Sequence, residues 1–256
     1  MTLPAPAVEL LQDVDSLAER REHHPWGAVT GDSRYPQVHE ANRALVFLPH
    51  PVTAAEVLDA LRRMRDSVGA AFEQAEILDL AGRGDLRDAM QREIGPPQRF
   101  LFMQWVQRPL PEAVAPGVSI SAVEPDWQMW RFLKQAANPA IPEPALDQIA
   151  RRLTTVMAEP RRRFFLAQRD GAVAGGASVH LSATACLIDD VVTVAEHRRS
   201  GIASMVIAHA LGAAADRGRR NVFLFTAEGG PARRLYERLG FTTIAVSEQF
   251  HRDLPG

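Results

Sequence analysis

The residue types most able to do chemistry are concentrated between Asp189 and Leu211, in DDVVTVAEHRRSGIASMVIAHAL. Arg198, Arg199, Ser200, Gly201, Ile202, Ala203 and Ser204 form a short basic turn, Arg-x-x-Gly-x-Ala, between an apolar extended run and a helical one. The first N–H groups of a helix have no intrahelical partner and sit at the positive end of its dipole, so this turn suits phosphate oxygens. Gly201 lets the backbone approach an anion, Arg198 and Arg199 can add charge-assisted contacts, and Ala203 keeps the helix start uncrowded. Arginine is disfavoured at a helix start unless an anion is near, which favours a binding role over a merely solvated one. Asp189 and Asp190 precede the turn on a strand whose alternation points them to opposite faces, so at most one faces a bound molecule. Asp190 is the expected base, with Asp189, Glu196, His180 and Glu228 as other candidates. Tyr236, one of two tyrosines, lies in PARRLYERLGF (231–241). Its phenol can donate a proton, although a helical stripe with Ala232, Leu235 and Leu239 equally suits core packing.

These residues need elements to position them. Strands are expected at 118–123, 163–168, 172–181, 185–194 and 221–226, with Asp170-Gly171 as a hairpin turn. Helices are expected at 126–135, 144–157, 201–217 and 231–239, with Trp127, Trp130, Ile149 and Leu153 in the core. A strand, a helix and a strand in that order imply a parallel crossover inside an otherwise antiparallel sheet. The prolines of QRPLPEAVAPG (107–117) mark a domain boundary. Before it, strands at 43–49, 76–80 and 99–106 and two amphipathic helices make a smaller α/β half. The clearer helix, 53–68, opens on Thr53 and Glu56 as a capping box.

Composition narrows the function classes. The 256 residues, with 46% hydrophobic, can bury an ordinary core. A formal net charge of −2 offers no positive field for nucleic acid or an anionic membrane. The single cysteine, Cys186, reads as a small buried hydrophobe and excludes an internal disulfide. No apolar run reaches a membrane span and no leader is expected, so the cytoplasm is the expected compartment. The histidines lack ligand spacing, so no metal is expected. GAVAGG (171–176) lacks a P-loop ending, and Ser178 lacks the glycine of a nucleophile elbow.

The order of strand, R-x-x-G-x-A, helix, strand, and helix with L-Y-x-x-L-G-F is similar to the GNAT acetyltransferases, and DDVVT before AEHRRSGIA resembles a subgroup with Asp-Val-x-Thr there. The resemblance covers about 118–246. It implies an α/β (α+β) GNAT fold with a mixed, mostly antiparallel sheet over 117–256, preceded over 1–110 by a degenerate GNAT-like half. It further implies an N-acetyltransferase that uses acetyl-CoA as cosubstrate, with direct attack by a primary amine of a small molecule or peptide in a ternary complex. Val192, Thr193 and Val194 would bind the pantetheine arm through their backbone, one N–H polarising the thioester carbonyl as an oxyanion donor. Residues 199–204 would hold the pyrophosphate, and Tyr236 would protonate the departing thiolate, a transfer that is roughly balanced between groups of pKa about 10 and about 8.5. Two departures stand out: TACLI offers no carboxylate early on the strand, and AEGGP (227–231) has no asparagine for the pantetheine. They leave open a non-catalytic acyl-CoA-binding regulatory module, or an enzyme that uses another acyl-CoA. A monomer or a homodimer is compatible with the sequence.

Overall fold

The computed structural model describes residues 3–14, 17–78, 82–106, 109 and 116–254. The proline-rich boundary at 107–117 and the end of the strand expected at 76–80 fall mostly outside them. The chain packs as two compact units that interleave in sequence. One combines Met1–Met103, Phe225–Arg233 and Thr243–Gly256, and the other Gln104–Leu224 with Arg234–Thr242.

In the first unit the elements are α1 (Ala5–Val14), β1 (Arg20–His24), β2 (Gly27–Gly31), β3 (Arg43–Val46), α2 (Ala54–Val68), β4 (Phe72–Leu78), α3 (Gly84–Glu93) and β5 (Gln98–Trp105). Its sheet runs β1-β2-β3-β4, and β4 is followed not by β5 but by the last strand of the chain, β11 (Phe241–Asp253), which separates them. β4 and β11 pair antiparallel from Leu78↔Ser247 to Phe72↔Asp253. β3 and β4 are parallel, with α2 as the crossover. Val57, Leu58, Leu61 and Met64 recur at helical spacing and bury that face against Val29, Val46, Ile77 and Phe250. The capping box is formed: Thr53 Oγ1 accepts from the Glu56 N–H, and Glu56 accepts from the Thr53 N–H at 2.8 Å. α1, β1 and β2 have no counterpart in the sequence reading. Short strands such as RREHH lack a clean alternating pattern and are made by pairing.

Glu73 is 1% exposed and is reached by Arg62 Nε (3.0 Å), Arg65 (2.7 Å) and Arg252 (2.5 Å). Burial alone would raise its pKa, but the hydrogen bonds and charges of Arg62 and Arg252 hold it below 4.5. Glu73→Gln is expected to lower unfolding stability by about 2 kcal/mol at neutral pH, since three charge-assisted bonds weaken and the arginines still reach water. A depressed carboxylate pKa stabilises above its unfolded value and loses that contribution as pH falls through the folded value. The gap between variant and wild type in denaturant melts therefore closes as the pH falls below about 4.5. A gap that is constant with pH would refute the ionic origin.

The second unit carries β6 (Val118–Val123), α4 (Trp127–Ala137), α5 (Glu143–Met157), β7 (Arg162–Arg169), β8 (Ala172–Leu181), β9 (Ala185–Thr193), α6 (Ile202–Ala215), β10 (Asn221–Ala227) and α7 (Ala232–Arg238). Its strands are ordered β10-β9-β8-β7-β6. All neighbours are antiparallel except β9 and β10, which α6 joins as the parallel crossover. Adjacent residues of β7 show the two faces, because Phe164 packs edge-on to Trp130 of α4 while Phe165 packs edge-on to His209 of α6. The α4–α5 side holds Trp130, Leu133, Ala150, Leu153, Phe164, Leu166 and Val192. Asp126 caps α4 by accepting from the Met129 N–H at 2.8 Å. Asp170 and Gly171, both with positive φ, turn the β7–β8 hairpin. No helix among the described residues is long and apolar enough to cross a membrane.

Candidate active site

β9 is held differently along its two edges. On the β10 side the ladder consists of Ala185↔Asn221, Cys186↔Val222 and Leu187↔Phe223, and then ends. On the β8 side it continues to Thr193↔Gly175. From Ile188 onward β9 is therefore paired on one edge only. The residues facing the open edge follow from ladder alternation. The Val194 N–H donates to the Ala174 carbonyl at 3.0 Å, so Val192, two residues back, also turns its backbone toward β8. Thr193 turns the other way, and its carbonyl accepts from Arg198 Nε at 3.3 Å. By the same alternation Val191 faces the open edge. The sequence reading, which assigned Val192, Thr193 and Val194 alike to backbone contacts, needs correction here. Val194 has its N–H on Ala174 and its carbonyl on the His197 N–H (2.9 Å), which leaves Thr193 and Val191 facing outward. The GAVAGG segment is the β7–β8 hairpin and the start of β8, as expected. A Cβ at Gly175 would lie 2.3 Å from the Val192 carbonyl oxygen, so β8 and β9 can approach this closely only with glycine there.

A bulge interrupts the same ladder. Gly176 pairs with Val192 and Ser178 with Asp189, so Asp190 and Val191 together oppose Ala177. Asp190 has φ 52°, the left-handed conformation that glycine usually supplies at the first position of such bulges. The two carboxylates end in different surroundings, Asp189 exposed and Asp190 buried against α4. The Asp189 carboxylate accepts from the Asp190 N–H at 2.8 Å and is exposed. The Asp190 side chain, 8% exposed, bonds Lys134 Nζ of α4 and accepts from Ser178 Oγ at 2.9 Å. Burial would raise its pKa, but the charge and hydrogen bond of Lys134, aided by Ser178, hold it below the usual carboxylate value. A carboxylate so held is a poor proton acceptor at neutral pH. Sequence reasoning missed Lys134 and Ser178; the signal was that Lys134 is the only lysine in the chain.

After β9 the chain makes a 3-10 turn at Ala195–His197 and enters the basic loop. Ser200 Oγ donates to the His197 carbonyl at 2.5 Å, and the Arg198 guanidinium donates to the Ala136 carbonyl in the last turn of α4 at 3.1 Å. Those two side chains thus brace the loop, while that of Arg199 is exposed. Gly201, at φ 85°, is the N-cap of α6, with no side-chain cap and no acidic residue in the first turn. By helix geometry the N–H groups of Ile202, Ala203 and Ser204 have no intrahelical acceptor. α2, the crossover helix of the other unit, begins instead with Thr53 and the Glu56 carboxylate seated on its N-terminus. Of these two crossover helices, α6 has the open, positively polarised start.

Tyr236 on α7 is 5% exposed and packs edge-on to Phe241, with ring centroids 6.0 Å apart. Burial first and the charge of Asp189 second push its pKa up to about 12, so it keeps its proton at any ordinary pH. Of the other candidates, His180 is buried, Glu196 is exposed, and Glu228 lies in the first unit, paired with Arg99 at 2.9 Å. Trp130, considered above only as core, is fully buried. Cys186 is buried as well, its thiol pushed up to about 12 by desolvation. No group of three His, Cys, Asp or Glu side chains suited to a metal occurs among the described residues.

Residues 127–241 match the model of the acetyltransferase (GNAT) family. This segment is therefore similar in sequence to the GNAT acetyltransferases. Solved structures extend the likeness of fold to the whole chain. A functionally unknown conserved protein from Staphylococcus epidermidis ATCC 12228 superposes with a TM-score of 0.71 at 13% identity, over 96% of this chain and 98% of that one. A GCN5-related N-acetyltransferase from Kribbella flavida gives 0.68 at 21%, over 100% and 97%. A tandem GNAT protein from the clavulanic acid biosynthesis pathway gives 0.62 at 16%, over 100% and 90%. No curated protein sequence matches the chain at a significant level. The span matched to the GNAT family contains Lys134, the bulge, the basic loop and Tyr236, all within the second unit.

Proposed function

We propose that this protein transfers an acetyl group from acetyl-CoA to a primary amine, by direct attack in a ternary complex at the second unit. The observation that carries the reading is the end of the β9–β10 ladder at Leu187↔Phe223, beside the uncapped start of α6. A strand with one open edge offers main-chain groups to an extended pantetheine arm as a neighbouring strand would. Thr193 and Val191 supply those groups, and Val191, next to the bulge, donates to the thioester carbonyl as negative charge develops there. The N–H groups of 202–204, with Arg199, hold the pyrophosphate, and Arg198 and Ser200 keep the loop in shape.

Tyr236 is the proton donor to the thiolate as the C–S bond breaks, its raised pKa keeping the hydroxyl protonated. Asp190, held ionised by Lys134, does not serve as the base in this reading. Asp189, exposed and electrostatically coupled to Tyr236, is the carboxylate that takes the proton lost by the amine. The first unit, whose crossover helix is closed by its own capping box, binds no CoA and is the degenerate half of a tandem arrangement.

The test is thiol release from acetyl-CoA across a panel of amino sugars, amino acids, polyamines and peptides, alongside calorimetry with acetyl-CoA. Amine-dependent release of CoA is expected. Binding of acetyl-CoA with no release for any amine would replace the transferase with a regulatory acyl-CoA-binding module. Stronger turnover with a longer acyl-CoA would reassign the acyl group.

A further inference from the structure

We propose that the Lys134–Asp190 ion pair is a positioning device that holds the β9 bulge in its left-handed conformation and so aims the Val191 N–H at the thioester carbonyl. The inference rests on the acyl-CoA reading above. The pair joins residues 56 positions apart, bringing the last turn of α4 onto the bulge. Asp190 is 8% exposed and Lys134 22%, so the two charges face each other largely out of bulk water. Ser178 Oγ, from β8, supplies a further bond to the same carboxylate at 2.9 Å.

An L residue at φ 52° is disfavoured by roughly 1 kcal/mol or more, and aspartate is among the few that tolerate it. The side-chain contacts of Asp190 offset that cost. Without them the strand is free to relax to ordinary pleating, in which residue 191 would exchange its outward edge for the β8 edge. The same turn of α4 also holds the far end of the segment, because the Ala136 carbonyl accepts from Arg198, which in turn donates to Thr193. Lys134 and Ala136 thus tether both ends of 190–198, the stretch that faces the arm. Lys134 touches no reacting atom in this scheme and is a positioning residue.

The experiment is steady-state kinetics with acetyl-CoA and the best amine of the panel, on folded variants monitored by thermal unfolding. Lys134→Met is expected to lower kcat by about 100-fold, the effect of losing one oxyanion donor, with KM for acetyl-CoA within about threefold. Glycine takes positive φ without strain, so Lys134→Met/Asp190→Gly should recover about tenfold over Lys134→Met, whereas Lys134→Met/Asp190→Ala should not. In 1H–15N spectra the Val191 amide should shift on adding acetyl-CoA but not CoA in wild type, lose that response in Lys134→Met, and regain it in the glycine double variant. If Lys134→Met does not fold, Ser178→Ala reads the same effect as a drop in kcat of about tenfold at unchanged KM.

Unchanged kcat in Lys134→Met or, failing that, in Ser178→Ala overturns the proposal. Equal activity of the glycine and alanine double variants also overturns it, since the backbone would then not be what the pair controls. Wild-type protein that binds no acetyl-CoA would instead remove the acyl-CoA reading, and this inference with it.

Discussion

Gly201→Glu weakens CoA binding by at least about 100-fold, or about 2.7 kcal/mol, in calorimetry. Three effects act in the same direction. The new carboxylate occupies the N–H groups of 202–204, it repels the pyrophosphate, and an L side chain is forced to φ 85°. The strain of an L residue at φ 85° should lower the thermal midpoint of the apo protein, and the further stabilisation by added CoA should disappear. Gly201→Asn separates the effects, because asparagine tolerates positive φ and carries no charge; its loss should be less than about tenfold. Full CoA affinity in Gly201→Glu would move the pyrophosphate away from α6 altogether.

Tyr236→Phe lowers kcat by about 100-fold while acetyl-CoA affinity stays within about twofold. The ring, with its edge-on contact to Phe241, is kept and only the proton is lost. Linkage provides an independent check. Tyr236 has its pKa raised from 10 to about 12 in the folded state, so the folded protein retains a proton that the unfolded chain gives up first. Stability is therefore unaffected below pH 10 and declines as pH rises from there toward about 12 in wild type, and the phenylalanine variant lacks this decline. Unchanged turnover in Tyr236→Phe would leave Tyr236 as a core residue and reassign the proton to solvent.

Much of the second unit was legible because its signals are local. A hairpin written by Asp170-Gly171, the Asp126 N-cap and the 3.6-residue apolar stripe of α5 each act over a few residues, and the elements they announce form within two or three residues of the expected places. The basic loop was visible for the same reason, since phosphate binding by a helix start is a property of one turn of chain. The role of Asp190 was not visible. Its type and place suggested a base, but burial, a bulge and a lysine 56 residues away turned it into a braced carboxylate.

The membership of β11 in the first unit shows the same limit at the scale of the fold. A proline-rich stretch at 107–117 marks where the chain changes composition, while strand pairing decides which residues pack together, and it places Thr243–Gly256 beside β4. The sequence by itself determined the order and type of most elements, the glycine-bearing anion turn and the candidate tyrosine, all through interactions between near neighbours in the chain. Tertiary structure alone decided which backbone groups of β9 face outward and where its ladder to β10 ends, and it made Lys134 the partner of Asp190. Those outcomes depend on register and on contacts between distant residues, whose energies no local pattern records.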